Sequence, residues 1–222
     1  KDYGKDTAKQ LLEESLKPAP FTVRVNTLKI SVEDFQKEIG TKTEKTKTDG
    51  GLILKSGIDI ANNKLYKDGL FYVQDSASQT AVSVLNPTSG SRVLDMCAAP
   101  GGKSFGMALI MQNKGEIISC DLYEQRAGLI EKSAKRLGTT IVKPKVCDAT
   151  VYDGGLGKFD YILCDVPCSG LGVIRRKPDI KYKNFPEFNF LCKIQKKILQ
   201  NAVKYLKKGG KLLYSTCTLR KK

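Results

Sequence analysis

Two cysteines stand where a nucleophile would be useful: Cys168 in DVPCSG and Cys217 in YSTC, each following a short apolar run. Both lie downstream of a glycine-rich segment, VLDMCAAPGGKS at residues 93–104, and the chain contains no histidine. A thiolate is therefore the one strong nucleophile on offer, and imidazole is excluded as its activating base. Thiolate formation must lean on nearby positive charge, helix dipoles or the substrate itself. The chemistry has to be written with Cys, Asp and Lys.

The elements that would position these residues begin near residue 91. Four β-like runs end in aspartate: RVLD at Asp95, EIISCD at Asp121, KVCD at Asp148 and YILCD at Asp165. A fifth, KLLYSTC, ends at Cys217. Helical stretches are predicted between them at 103–113, at 124–137 closed by Gly138, and at 188–207 closed by Gly209-Gly210. Strands alternating with helices predict a parallel sheet covered on both faces. Ligands of such sheets bind beyond the carboxyl ends of the strands, where the four aspartates and Cys217 would gather.

The glycine turn at Gly101-Gly102 lets a ligand approach backbone at a helix N-terminus. It is not a Walker loop, which would require glycine at position 97, where Cys97 stands, and no GxGxxG is present. Asp121, ending the second strand, is placed to take the hydroxyls of an adenosine ribose, and Asp148 to reach the adenine edge. Upstream, residues 1–17 read as a helix stopped by Pro18 and Pro20. FTVRVNTLKI, GLILKSG and GLFYVQD read as strands, Ser31 as the cap of a short helix, and TKTEKTKTDGG as a loop or edge strand. Residues 20–75 thus predict a small α/β lobe.

The 222 residues, 41% hydrophobic and 27% charged, are ordinary for a globular protein, and no apolar run approaches the length of a bilayer span. Seven cysteines form no CxxC pair, and there is no histidine for zinc, so no metal site is expected. Cys97, Cys120, Cys147, Cys164 and Cys192 lie in or beside apolar runs and are expected as buried thiols of a reduced, cytoplasmic chain. The net charge of +15 is concentrated: residues 171–222 carry 15 Lys/Arg against 2 Asp/Glu. That bias, beside the candidate cysteines, points to a polyanion, most simply nucleic acid, rather than a membrane surface. Arg175, Arg176, Lys177 and Lys181 are expected to grip nucleic-acid phosphates; Tyr182 and Phe185 offer rings for stacking, with ordinary packing the slightly favoured reading of both.

VLDMCAAPGGKS, DVPCSGLGVIRRKPDIKY and YSTC, in that order, resemble the signature of the Sun-family (RsmB-like) RNA cytosine-5 methyltransferases; RVNTLK at 24–29 and FYVQDSASQ at 71–79 are similar to its upstream blocks. The resemblance implies an α/β fold with a Rossmann-like S-adenosylmethionine-dependent sheet. It divides the chain into an N-terminal helix at 1–19, a small RRM-like lobe at 20–80 and a methyltransferase domain at 81–222. It assigns the nucleophile to Cys217, release of the enzyme to Cys168, a grip on the cytosine ring nitrogen and amino group to Asp165, and positioning to Lys103. Cofactor contacts are implied for Cys97, Ala98, Ala99, Pro100, Gly101, Gly102, Lys103, Asp121, Arg126, Asp148 and Asp165. The family's further sheet strands after the last cysteine, and the NusB-like helical domain that RsmB itself carries, have no counterpart here, and the first residue is Lys1 rather than Met; whether the chain is a fragment of a longer protein stays open. The implied activity is 5-methylcytosine formation in RNA, ribosomal by resemblance, with transfer RNA as an alternative substrate. A non-catalytic RNA-binding factor and an amino-group methyltransferase reading Asp165-Val-Pro167 as an Asp-Pro clamp remain open.

Overall fold

The computed structural model describes residues 3–182 and 188–219; Phe185 lies outside them. Helix α1 (Lys5–Leu16) leads into strand β1 (Phe21–Val25), helix α2 (Val32–Glu38), β2 (Thr43–Lys45), β3 (Gly51–Leu54), a single turn α3 (Lys64–Lys67) and β4 (Phe71–Val73). The order β2-β3-β1-β4, with every pair antiparallel, is the split βαβ arrangement of ferredoxin-like folds. TKTEK becomes the edge strand β2, where its charged residues face solvent. Ser31 caps α2 by accepting from the Asp34 amide at 3.1 Å.

β1 is buried on both faces. Val23 and Val25 pack with Phe35, Leu52 and Phe71 inside the lobe. Thr22 and Arg24, on the opposite face, are also buried, against the second half of the chain. The motif RVNTLK makes that junction. Asn26 Nδ2 donates to the Leu137 carbonyl at 2.8 Å, and Lys29 Nζ to the Arg136 carbonyl at 2.9 Å. Both acceptors end a helix whose last carbonyls otherwise lack partners, and a lysine there also meets the negative pole of the dipole.

The second half begins with α4 (Ser76–Leu85), capped by Asp75, which accepts from the Ala77 amide at 2.8 Å. Then follow β5 (Arg92–Asp95), α5 (Gly102–Ile110), β6 (Glu116–Asp121), α6 (Glu124–Leu137), β7 (Val142–Val146), β8 (Phe159–Asp165), α7 (Phe188–Tyr205) and β9 (Leu206–Ser215). The sheet is wholly parallel in the order β7-β6-β5-β8-β9, the doubly wound pattern that reverses direction beside β5. Alternate residues feed two cores: Val93, Tyr161 and Leu163 pack beneath α4–α6, whereas Leu94, Ile162 and Cys164 pack against Ile198, Ala202 and Tyr205 of α7.

Two expectations are corrected. Gly209-Gly210 does not close α7; that helix ends at Tyr205, and the glycines lie inside β9 beside a register shift opposite β8. A Cβ at Gly210 would sit 2.9 Å from the Asp160 carbonyl oxygen, so close approach of strands, not helix termination, requires glycine there. Cys192 is exposed on α7, and Cys97 and Cys147 are only half-buried, while Cys120 and Cys164 are buried as expected.

Candidate active site

Strands β5, β6 and β8 end in Asp95, Asp121 and Asp165; Asp148 follows β7 by two residues and Cys217 follows β9 by two. The sheet thus delivers all five to one edge. Two clefts open there. The first, about 610 Å³, is walled by Met96, Cys97, Asp121, Tyr123, Asp148 and Asp165, among others, with Ile194 and Ile198 of α7 closing one side. The second, about 500 Å³, lies between the two halves of the chain, with Pro20 and Asp75 on one side and Lys103, Asp165, Ser215 and Cys217 on the other. Asp165 lines both, so a group held in one cleft faces a group held in the other across this carboxylate.

The first cleft suits an adenosine-bearing ligand. Asp121 is 4% exposed; its carboxylate accepts from the Ala99 and Tyr123 amides at 3.3 Å and lies 3.5 Å from Arg126 Nη2. Arg126 in turn donates to the Ala99 carbonyl at 3.0 Å, so the glycine-rich turn is tied to the end of β6. Gly101, at φ 102°, turns the chain into α5; a Cβ there would strike the Phe105 ring at 2.4 Å. A cleft of this size with a carboxylate at one strand end, apolar walls and a helix N-terminus has the donor set that a nucleoside joined to an amino-acid chain needs. Cys97, Ala99, Asp121, Arg126, Asp148 and Asp165 line it, while Ala98, Pro100, Gly102 and Lys103 line a smaller connecting recess of about 210 Å³ that also reaches Asp165.

In the second cleft Lys103 Nζ meets Asp165 Oδ2 at 2.5 Å and Ser215 Oγ donates to Oδ1 at 2.5 Å, fixing both carboxylate oxygens. Beneath them the buried Asp95 accepts from Ser104 at 2.7 Å, and Ser119 donates to Ser104 at 2.8 Å. Burial pushes the Asp95 carboxyl up to about 7, against the pull of Ser104 and Lys103.

Cys168 and Cys217 face one another, Sγ to Sγ at 2.9 Å, and the Cys217 amide donates to Cys168 Sγ at 3.2 Å. Neither is in a disulfide. The contact splits their acidities: the hydrogen bond from Cys217 brings Cys168 down to about 6, while the same bond, aided by burial, pushes Cys217 up. The two thiols therefore titrate as a coupled pair. The loops holding the sulfurs are zipped together: Gly172 N donates to the Cys217 carbonyl at 2.8 Å, and the Ser169 and Thr218 hydroxyls are 2.8 Å apart. From α7, Gln195 Nε2 donates to the Pro167 carbonyl at 2.7 Å.

The basic residues after Cys168 divide. Arg176 Nε pairs with Asp75 at 2.5 Å, and its Nη2 donates to the Pro20 carbonyl and the Thr22 hydroxyl at 3.0 Å. Arg175 donates to the carbonyls of Lys17 and Pro18 at 3.1 and 2.6 Å. Both guanidinium groups, expected as phosphate grips, instead tie the Cys168 loop to the N-terminal segment. Lys177 and Lys181 are exposed, and the Tyr182 ring is 88% exposed. Sequence reasoning missed Ser215, Asp75 and Gln195; Ser215, two residues before Cys217, carried a signal, since alternate strand residues share a face.

Among the described residues no cluster of metal-ligating side chains occurs, and no helix is long and apolar enough to cross a membrane. A family profile described as 16S rRNA methyltransferase RsmB/F matches residues 82–222, and one described as the ferredoxin-like domain of RsmF/B-like methyltransferases matches residues 1–61. The chain is similar to the probable ribosomal RNA small subunit methyltransferase B of Bacillus subtilis, 40% identical across 98% of this chain and 50% of the relative. It is 35% identical to ribosomal RNA small subunit methyltransferase F of Vibrio parahaemolyticus, over 91% of this chain and 45% of the relative. The chain spans about half the length of these curated relatives. A crystal structure of a methyltransferase homologue from Pyrococcus horikoshii superposes with a TM-score of 0.86 at 33% identity, covering 97% of this chain and 70% of that one. NSun6 from the same organism, solved with SFG, superposes at 0.89 with 24% identity over 99% of this chain and 81% of that one, a likeness of fold. Motifs, sheet order and these matches agree: the chain belongs to the RsmB/F (Sun) family of 16S rRNA methyltransferases.

Proposed function

We propose that this chain carries the catalytic centre of an S-adenosylmethionine-dependent methyltransferase that modifies carbon 5 of cytosine in ribosomal RNA, by way of a covalent bond to Cys217. The observation that supports this reading best is the pair of sulfurs 2.9 Å apart in a cleft that shares Asp165 with the adenosine-sized cleft. A binding module needs neither thiol, and a methyltransferase of exocyclic amino groups needs no sulfur nucleophile. The family supports ribosomal RNA as substrate, and with it a cytoplasmic location, in this reading.

Asp121 and Asp148 would hold the adenosine, with Arg126 and the 97–102 turn keeping Asp121 in place. The bound S-adenosylmethionine supplies an electrophilic methyl group. Asp165, its orientation fixed by Lys103 and Ser215, holds the ring nitrogen and amino group of a cytosine turned out of its stack. Carbon 5 of cytosine is a poor nucleophile, and addition of Cys217 sulfur to carbon 6 makes the ring enamine-like. Cys217 gives up its proton to solvent before it attacks. Cys168 then takes the carbon 5 proton after transfer, and the Cys217–carbon 6 bond breaks to restore the aromatic ring. Lys177 and Lys181 neutralise flanking phosphates.

Replacing Cys217 by Ala removes methyl transfer to RNA, read as loss of 5-methylcytosine by nucleoside mass spectrometry. Appreciable turnover in that variant refutes the assignment. Cys168→Ala accumulates a protein–RNA adduct, seen as a retarded band on a denaturing gel; normal methylation without adduct removes its release role.

A further inference from the structure

We infer that Cys168 and Cys217 are also a site of reversible oxidation: a hydroperoxide oxidises Cys168, and Cys217 closes it into a disulfide that withdraws both sulfurs. The loss of RNA methylation this entails rests on the proposed function; the oxidation itself rests on the sulfur geometry alone.

The two sulfurs are brought together by neighbouring parallel strands. β8 and β9 pair Asp165 with Ser215, and each chain continues a few residues to its cysteine. The Gly172 amide on the Cys217 carbonyl and the Ser169–Thr218 hydroxyl contact then hold the two loops at a fixed spacing. The 2.9 Å between the sulfurs would close to the roughly 2 Å of an S–S bond by a movement of about 1 Å, shared between two side chains. Reagents can reach them: the cleft is about 500 Å³, Cys217 is exposed and Cys168 half-buried.

Reactivity follows thiolate character. The hydrogen bond from Cys217 brings Cys168 down to about 6, and the amides of Gly170 and Cys217 add to it, against burial and the Asp165 carboxylate. The other charged groups of the cleft are engaged elsewhere: Lys103 with Asp165, Arg176 with Asp75, and Arg175 with the carbonyls of Lys17 and Pro18. The remaining thiols lack one condition or another. Cys164 is buried and pushed up to about 12, and burial raises Cys97 as well. Cys147 is lowered by its bond to Cys120, but Cys120 is only 2% exposed. Cys192 is exposed on α7 and serves as an internal comparison.

The Cys168 thiolate attacks one oxygen of the hydroperoxide and the O–O bond breaks. Sulfur is oxidised to the sulfenic acid, the peroxide is reduced, and the leaving oxygen takes a proton from solvent. Cys217 sulfur then attacks Cys168 sulfur; its proton leaves with the displaced hydroxide as water. A soluble dithiol reverses the reaction by exchange.

The test treats the whole chain with hydrogen peroxide in the absence of RNA, then alkylates the remaining thiols and maps them by mass spectrometry. One disulfide joining Cys168 to Cys217 is expected, removed by dithiothreitol and formed at least tenfold faster than Cys192 is oxidised. Its rate should level off above about pH 7, whereas an ordinary thiol gains reactivity up to about pH 8.5. In Cys217→Ser the reaction should stop at Cys168 sulfenic acid, captured as a dimedone adduct. The oxidised chain should bind S-adenosylmethionine by calorimetry and yet form no RNA adduct until reduced. A disulfide between Cys120 and Cys147 instead, or Cys168 oxidised no faster than Cys192, overturns the inference. Thiol mapping needs no RNA, so a chain that forms the Cys168–Cys217 disulfide but never methylates cytosine supports the inference and refutes the proposed function alone.

Discussion

Replacing Asp95 by Asn tests how the floor of the site is held. Asp95 is 1% exposed, bonded to Ser104, and raised by burial from an ordinary 3.8 to about 7. Between about pH 4 and pH 7 the folded chain keeps a proton that the unfolded chain has released, so stability falls as the pH rises through that interval. At 1.36 kcal/mol per unit, the full excursion amounts to about 4 kcal/mol. Asparagine keeps the shape and one acceptor for Ser104 but has no proton to lose. The stability difference between variant and wild type should therefore grow by about 3 kcal/mol in favour of the variant from pH 4.5 to pH 8, the rest of the excursion lying below pH 4.5. Urea denaturation at several pH values measures it, and taking the difference cancels groups that titrate alike in both proteins. A difference that stays flat across this range would show that Asp95 is already ionised in the folded chain, and the rise assigned to its burial would fail.

Two further outcomes are expected. Asp121→Ala should weaken S-adenosylmethionine binding by about ten- to a hundredfold, the loss of hydrogen bonds to a charged acceptor, as read by calorimetry; unchanged affinity would remove Asp121 from the cofactor cleft. Arg176→Ala should cost about 2–3 kcal/mol in urea denaturation, because it breaks a partly buried ion pair and two further bonds between the Cys168 loop and residues 20–22; a loss below about 0.5 kcal/mol would mean that the contact does not fasten the loop.

How much of this was legible depended on whether a signal was local. The helix expected at 124–137 is formed over those residues, since a first-turn Glu124 and a final Gly138 at φ 73° mark its ends in the sequence itself. The aspartates reached one edge because each ends, or shortly follows, a parallel strand, which fixes direction without knowledge of packing. Gly209-Gly210 misled because a glycine pair after a helix reads as a stop, whereas its reason lies on a neighbouring strand, at the Asp160 carbonyl. Arg175 and Arg176 misled for a similar cause: their acceptors lie 101 to 158 residues earlier in the chain. The division of charge within the cysteine pair had no signal at all, since it arises from a contact 49 residues apart.

The cleft that holds Cys217 has one wall made of Pro20 and Asp75, and those residues are fastened to the opposite wall by Arg176. The ferredoxin-like portion is thus not an appendage that could be traded for another module at an arbitrary seam. A graft that kept residues 76–219 alone would expose the carbonyls that Asn26 and Lys29 cover and leave the reacting sulfurs in an open trough. Any recombination of this chain with a paralogue would need its crossover outside the span from Lys17 to Cys217.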